Sequence, residues 1–206
     1  MKITIWILAI GFTITTIFNL FILQKYKQLS GISTQISEAH NKTLRKEIIL
    51  QENILTQYIA EGELCPDVNL KDPKTKQNKK ISELIANDNP KLFFRFKETD
   101  CDACIQKALR LLKDIATEYP QLSITILSGY SNTRQFYAYA NNENKSYEIY
   151  NITEFPITLE EQERPYFFIL DNRLEIQSPH IFIQEDDYLS KEYLKCMIQK
   201  YNSVTK

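Results

Sequence analysis

Glycine is scarce in this chain, four residues in 206. No GxGxxG or GxxxxGK[ST] string occurs, which excludes the glycine-rich loops that cradle nucleotide phosphates. An excess of one charge is missing too: 25 Lys+Arg face 26 Asp+Glu, a formal net charge of −1. Without a basic surplus to neutralise phosphates, no nucleic-acid partner is expected, and no polybasic membrane patch either. Four cysteines are too few for a disulfide scaffold of this length. The two histidines, His40 and His180, are far apart and there is no second CxxC, so a four-ligand zinc site lacks donors and no metal is expected. The length allows one ordinary domain with additions, or two small ones.

Charge is also absent locally. Ile3 to Gln24 carries no charged side chain, while mean hydropathy over the whole chain is −0.35. The remainder is therefore polar. A helix crosses a bilayer core with roughly 20 apolar residues, and residues 3–23 meet that length. The stretch exceeds the roughly 7–15 residues of a signal-peptide core, and no small-x-small cleavage site closes it. It reads as an uncleaved signal anchor and single transmembrane helix (residues 1–24), with a cleaved signal peptide as the alternative. Lys2 stands on one side and Lys25 and Lys27 on the other, a count that leans slightly toward a cytoplasmic C-terminal part.

Residues 25–61 read as a helical stalk or linker. Leu44, Ile48, Leu55 and Tyr58 fall on one helical stripe interrupted by Gln51, Gly31 marks a joint, and Gly62 a C-terminal cap. Sustained heptads are absent, so a monomeric spacer and a short coiled coil both stand. Residues 63–80 read as a loop with a turn near Asp72-Pro73, followed by a short helical piece at 81–85. The compact domain is placed at 62–206. Within it a Phe-rich strand (91–96) leads into a helix whose apolar residues Ile105, Ala108, Leu109, Leu112 and Ile115 repeat every 3.6 positions, with Thr99 or Asp100 as cap. Strands follow at 122–127 and 147–152, with a helix around 133–140 between them. Strands at 165–171 and 173–177 join through a tight turn at Asp171-Asn172. An amphipathic helix at 188–201 closes the domain.

The chemical signal is Cys101-Asp102-Ala103-Cys104, between a strand and that periodic helix. Free amides and the positive helix end stabilise a thiolate there, and the i, i+3 spacing lets the two sulfurs meet. In such pairs the first cysteine is the nucleophile and the second resolves the mixed disulfide. A lone structural disulfide is the alternative reading. Glu98, Asp100 and Asp102 bring negative charge near Cys101, which opposes the helix end and suits a reductant more than a strong oxidant. Lys97 and Arg164 are candidates to counter those acids. Cys65 lies in a loop and Cys196 in the last helix, the latter read as a packed thiol; a bridge between them is left open.

From Gly62 onward the chain resembles the thioredoxin-like superfamily, in particular the membrane-anchored TlpA-like and ResA-like thiol–disulfide oxidoreductases. The residues that carry the resemblance are the opening Gly62, Pro66, Asp67, Leu70 and Asp72, the pair Ser82 and Leu84, the CxxC with its strand and helix, and the run from Arg164-Pro165 to Asp171. The chain departs from the family in having Thr99-Asp100 where an aromatic often precedes the first cysteine, and Asp-Ala between the cysteines.

The resemblance implies an α/β fold with a central mixed sheet flanked by helices, behind the transmembrane helix and stalk. It implies catalytic Cys101 and Cys104, whose redox-active disulfide needs no further cofactor. Pro165 is implied to be a cis proline beside that disulfide, and Arg164 a contact for substrate or thiolate. Protein substrates bearing thiols or disulfides and an upstream electron donor are the implied partners, besides the membrane at residues 3–23. The domain is implied to lie outside the cytoplasm (periplasmic if bacterial), against the lean of the lysine count. A peroxidase is not expected, because Phe94 and Glu98 stand where a PxxxT/SxxC string needs Pro and Thr or Ser. The competing class is a non-catalytic binding or assembly module held at the membrane.

Overall fold

The computed structural model describes residues 2–85, 91–142, 147–183 and 187–204, and leaves aside the side chains at 2–10, 12–14, 187 and 200–204. Two units make up the chain, Met1–Gln51 and Glu52–Lys206.

The first unit is the main length of α1, a helix that runs Lys2–Ala60. Gly31, read as a joint, lies inside it. One glycine costs a helix only about 1 kcal/mol relative to alanine, too little to break so long an element. Leu29, Ile32 and Ile36 are exposed. Among the described residues no helix is long and apolar enough to cross a membrane; the side chains at 3–10 and 12–14, a large part of the 3–23 segment, lie outside the described residues.

The second unit begins at Glu52, inside the segment read as stalk. The helix ends at Ala60 and Gly62 adopts φ +80°, the left-handed turn that glycine takes without steric cost. A seven-stranded mixed sheet follows, in spatial order β2 (Asn78–Lys80), β1 (Asn69–Lys71), β5 (Glu148–Asn151), β4 (Ile124–Gly129), β3 (Lys91–Lys97), β6 (Tyr166–Leu170) and β7 (Ile176–Ile181). Its centre is β3 (Lys91–Lys97), β4 (Ile124–Gly129) and β5 (Glu148–Asn151), all parallel. Helices α2 (Asp102–Glu118) and α3 (Thr133–Asn142) form the crossovers. On the other side of β3, β6 (Tyr166–Leu170) runs antiparallel to β3 and β7 (Ile176–Ile181) antiparallel to β6, and α4 (Asp187–Val204) ends the domain. The expected central mixed sheet with flanking helices is present.

Two elements differ from expectation. The polar 63–80 loop contains a hairpin, β1 (Asn69–Lys71) with β2 (Asn78–Lys80). Such short lysine- and asparagine-rich edge strands carry no hydrophobic alternation to reveal them. The final strand starts at Ile176 rather than Arg173, because the turn is longer. Asp171 Oδ1 accepts from the amides of both Arg173 and Glu175, at 3.0 and 2.9 Å, and Leu174 sits at φ +62°.

Alternation along the strands sends Leu92, Phe94, Phe96, Phe167 and Ile169 to a core shared with α2, α3 and α4. Phe93, Tyr166, Phe168 and Leu170 go to the opposite core, closed by Ala60, Ile81, Leu84, Phe155 and Leu159. The outer edge of β7, an open template for further strands if left bare, is occupied by the end of α1 and the segment after it. Ile176 exchanges backbone bonds with Gly62 and Glu63 at 2.8 Å each. Glu61 accepts from the Ser178 amide at 2.6 Å, and Gln57 Oε1 from the Ile181 amide at 3.2 Å.

The same Gln57 oxygen accepts from Nδ1–H of the buried His180 at 3.1 Å, which leaves Nε2 to accept from the Ser190 hydroxyl at 3.0 Å. Burial pulls the His180 pKa from 6.5 down to about 4. The neutral imidazole is the form that fits, so its contribution to stability is complete above pH 6.5 and lost as pH falls toward 4. The expected loss across that window is about 3 kcal/mol. Urea unfolding at pH 7, 5.5 and 4.5 checks it: the fall should be steeper for the wild type than for His180→Gln.

Candidate redox site

The site sits where β3 delivers the chain to α2. Cys101 is the N-cap of α2, and its Sγ accepts from the Cys104 amide at 3.3 Å. Neither Thr99 nor Asp100 is the cap. Thr99 lies within the turn, and the Asp100 carboxylate turns back instead to accept from the Lys97 amide at 2.7 Å. The Cys101 carbonyl starts the helix by accepting from Ile105 N at 3.0 Å. Cys101 is exposed and Cys104 buried, and the two form a disulfide with Cα atoms 5.2 Å apart. One sulfur is thus open to solvent at a helix N-terminus, where partial positive charge favours a thiolate, and the other is screened beneath it.

The acids near Cys101 do not act as one cluster. Glu98 leaves it, accepting from the Ser131 amide and hydroxyl at 3.1 and 2.8 Å. Asp102 stays exposed in the first turn of α2. Asp100 is buried; its Oδ1 has no partner among the described residues, and burial raises its pKa above the usual carboxylate value. Lys97 partly offsets the effect of burial on Asp100 through its charge, but it makes no ion pair with these acids. Its ammonium donates to the carbonyls of Glu160 and Gln162 at 3.0 and 3.2 Å.

Below the site lies an ion pair that the sequence reading did not single out. Arg95, 0% exposed, donates from Nε to Glu160 Oε1 at 2.7 Å and from Nη2 to Oε2 at 3.2 Å. Nη1 donates to the carbonyls of Ile152 and Phe96 at 2.9 and 3.2 Å. The Tyr166 hydroxyl donates to Glu160 Oε1 at 2.7 Å. The signal available in the sequence was an arginine in mid-strand amid phenylalanines, a cation that needs a partner once β3 is central. Gly129, on neighbouring β4, makes room for it: a Cβ there would stand 2.8 Å from Arg95 Nη1 and 3.1 Å from Lys97 Cα. Four hydrogen bonds pin the guanidinium, so it cannot yield. Gly129→Ala is expected to cost about 1–3 kcal/mol by overpacking, read as a lower urea midpoint at unchanged slope.

Register places the other named residues. Tyr166 pairs with Arg95, so Pro165 and Arg164 precede β6 at the end of the sheet from which β3 runs to Cys101. Pro165 is buried and Arg164 partly exposed; Arg164 makes no hydrogen bond or ion pair among the described residues. No peptide bond among the described residues is cis. Pro165 therefore enters the sheet through a trans bond, the form ordinarily favoured for X–Pro by about 0.5–1 kcal/mol, and its carbonyl accepts from Phe182 N at 2.8 Å. Cys65 and Cys196 are both free. Burial pushes the Cys65 thiol up to about 12, which leaves it inert at neutral pH. Cys196 is exposed rather than packed, because the buried stripe of α4 runs through Ser190, Leu194, Met197 and Ile198.

No protein-family model and no curated protein sequence matches the chain. Solved structures do. An uncharacterized thioredoxin-like protein from Porphyromonas gingivalis superposes with a TM-score of 0.52 at 18% identity, over 69% of this chain and 93% of that one. The C-terminal domain of a provisionally named thiol-disulfide oxidoreductase from Bacteroides thetaiotaomicron gives 0.51 at 14% identity, over 68% and 95%. A provisionally named thiol:disulfide interchange protein DsbE from Chlorobium tepidum gives 0.50 at 14% identity, over 66% and 96%. The chain has a thioredoxin-like fold, with its CxxC at the junction of a central parallel strand and the first crossover helix.

Proposed function

We propose that the chain is a thiol–disulfide oxidoreductase, anchored in a membrane through residues 3–23, that reduces disulfides of proteins outside the cytoplasm. The observation that carries this reading is the asymmetry of the sulfur pair: an exposed Cys101 capping a helix and a buried Cys104 bonded to it. In the reduced form the Cys101 thiolate attacks a substrate disulfide. A mixed disulfide forms on Cys101 and one substrate sulfur leaves as thiolate. Cys104, deprotonated, then attacks Cys101 Sγ and releases the second substrate thiolate. Two electrons pass to substrate and the Cys101–Cys104 disulfide results. An upstream dithiol donor returns the pair to the reduced form by the same exchange in reverse. Arg164 and Pro165, at the same end of the sheet, are the residues we assign to holding substrate beside the sulfurs.

The reductant direction rests on Asp100 and Asp102, which flank Cys101. Negative charge there raises the thiolate's free energy and so favours the disulfide form of the pair. Equilibrating the purified full chain in glutathione buffers tests the reading. A reductant gives a potential nearer about −270 mV than about −120 mV. A value at the oxidising end reverses the direction, and a pair that fails to exchange supports the non-catalytic binding module. A reporter fused after Lys206, active only outside the cytoplasm, tests the orientation.

A further inference from the structure

We propose that Lys97 is a positioning residue that locks the loop leading to Arg164 and Pro165 against the turn that carries the cysteines. The inference rests on the oxidoreductase reading and adds to it how substrate is held. Lys97 is the last residue of β3, and it is tied in two directions. Its amide donates to Asp100 Oδ2 at 2.7 Å and its carbonyl accepts from Asp100 N at 3.1 Å. These two bonds close the turn immediately before Cys101. Its ammonium reaches across to the carbonyls of Glu160 and Gln162 at 3.0 and 3.2 Å. Both carbonyls lie in the segment that ends at Arg164 and Pro165.

Glu160 is itself immobilised from beneath by Arg95 and Tyr166. The loop is therefore fixed at its side chain by Arg95 and at its backbone by Lys97, and both residues project from the strand that delivers Cys101. Gln162 adds a side-chain bond to Thr56 Oγ1 at 3.0 Å and an amide bond to the Leu159 carbonyl at 3.2 Å, whereas Glu161 and Glu163 are exposed. Lys97 is the tie that joins this loop to the turn before Cys101. A lysine whose charge satisfies two backbone carbonyls, rather than a carboxylate, orders main chain. Ordering main chain is what a docking edge for an extended substrate segment requires.

The test is Lys97→Met in the full chain, which keeps the aliphatic stem and removes the three donors, with Lys97→Arg as the conservative variant. Two readouts are taken. In reduction of a protein disulfide such as insulin, the KM of Lys97→Met is expected to rise about tenfold with kcat within about twofold, and Lys97→Arg to recover most of that KM. In hydrogen exchange, the amides of residues 161–164 are expected to exchange about tenfold faster in Lys97→Met at unchanged global unfolding midpoint. A KM that does not move, or a loss confined to kcat, overturns the proposal. If the wild type reduces no protein disulfide, the oxidoreductase reading fails instead. Hydrogen exchange then decides the lock alone: faster exchange at 161–164 upholds it, and unchanged exchange overturns it.

Discussion

Under the proposed oxidoreductase reading, Cys101→Ser is expected to lower protein-disulfide reduction by about three orders of magnitude or more, as removal of an essential nucleophile does, while leaving the fold intact. Serine is close in size and the position is exposed, so no cavity forms. What disappears is the ionisable sulfur: a hydroxyl is not deprotonated at neutral pH and cannot take part in exchange. Cys104→Ser should behave differently. Its Cys101 still attacks, but nothing releases the substrate, so a mixed disulfide accumulates and is visible on a non-reducing gel. The contrast separates the two roles more sharply than either loss of turnover. Equal trapping by both variants would contradict the assignment of Cys101 as nucleophile. Retained turnover in Cys101→Ser would remove the sulfur pair from the chemistry altogether.

That pair was the most legible part of the molecule, and for a physical reason. A CxxC between a Phe-rich run and a strict 3.6-residue apolar period fixes both sulfurs in local structure, so short-range patterning suffices to place them. The same holds for β3, β4 and α2, whose inward residues are nearly all apolar. Legibility failed where the determining contacts are long-range. Glu98 is three residues from Cys101 but spends its carboxylate on Ser131, which only the parallel pairing of β3 with β4 brings near. The ammonium of Lys97 finds carbonyls more than sixty positions away. The trans bond at Pro165 and the exposure of Cys196 likewise depend on packing that no local pattern encodes. The β1–β2 hairpin escaped notice because its stability comes from Leu70 entering the core and from pairing with β5, not from its own polar sequence.

Arg95 is the largest such omission, and Arg95→Met is expected to destabilise the domain by about 3–5 kcal/mol, the cost of breaking a buried pair by removing one partner. Methionine fills much of the space of the arginine stem, so lost packing is the smaller part. The larger part is what stays behind. The Glu160 carboxylate, with a side chain only 16% exposed, loses two charge-assisted bonds and keeps only the Tyr166 hydroxyl. The Ile152 carbonyl loses its donor as well. Against a total stability of about 5–15 kcal/mol for a domain, this is a large fraction. At about 2–4 °C per kcal/mol for a domain of this size, it predicts a fall in Tm of roughly 6–20 °C. The double variant Arg95→Met/Glu160→Leu removes both charges, and it should be more stable than Arg95→Met alone, because no isolated carboxylate remains in the interior. A double variant as unstable as the sum of its parts would mean that Arg95 acts through packing and backbone contacts, with Glu160 incidental. Recovery in the double variant would instead show that the unpaired Glu160 carboxylate, rather than lost packing, carries the cost of Arg95→Met. Under the oxidoreductase reading, that recovered protein should still reduce protein disulfides poorly, because the ion pair holds the loop that presents Arg164 and Pro165.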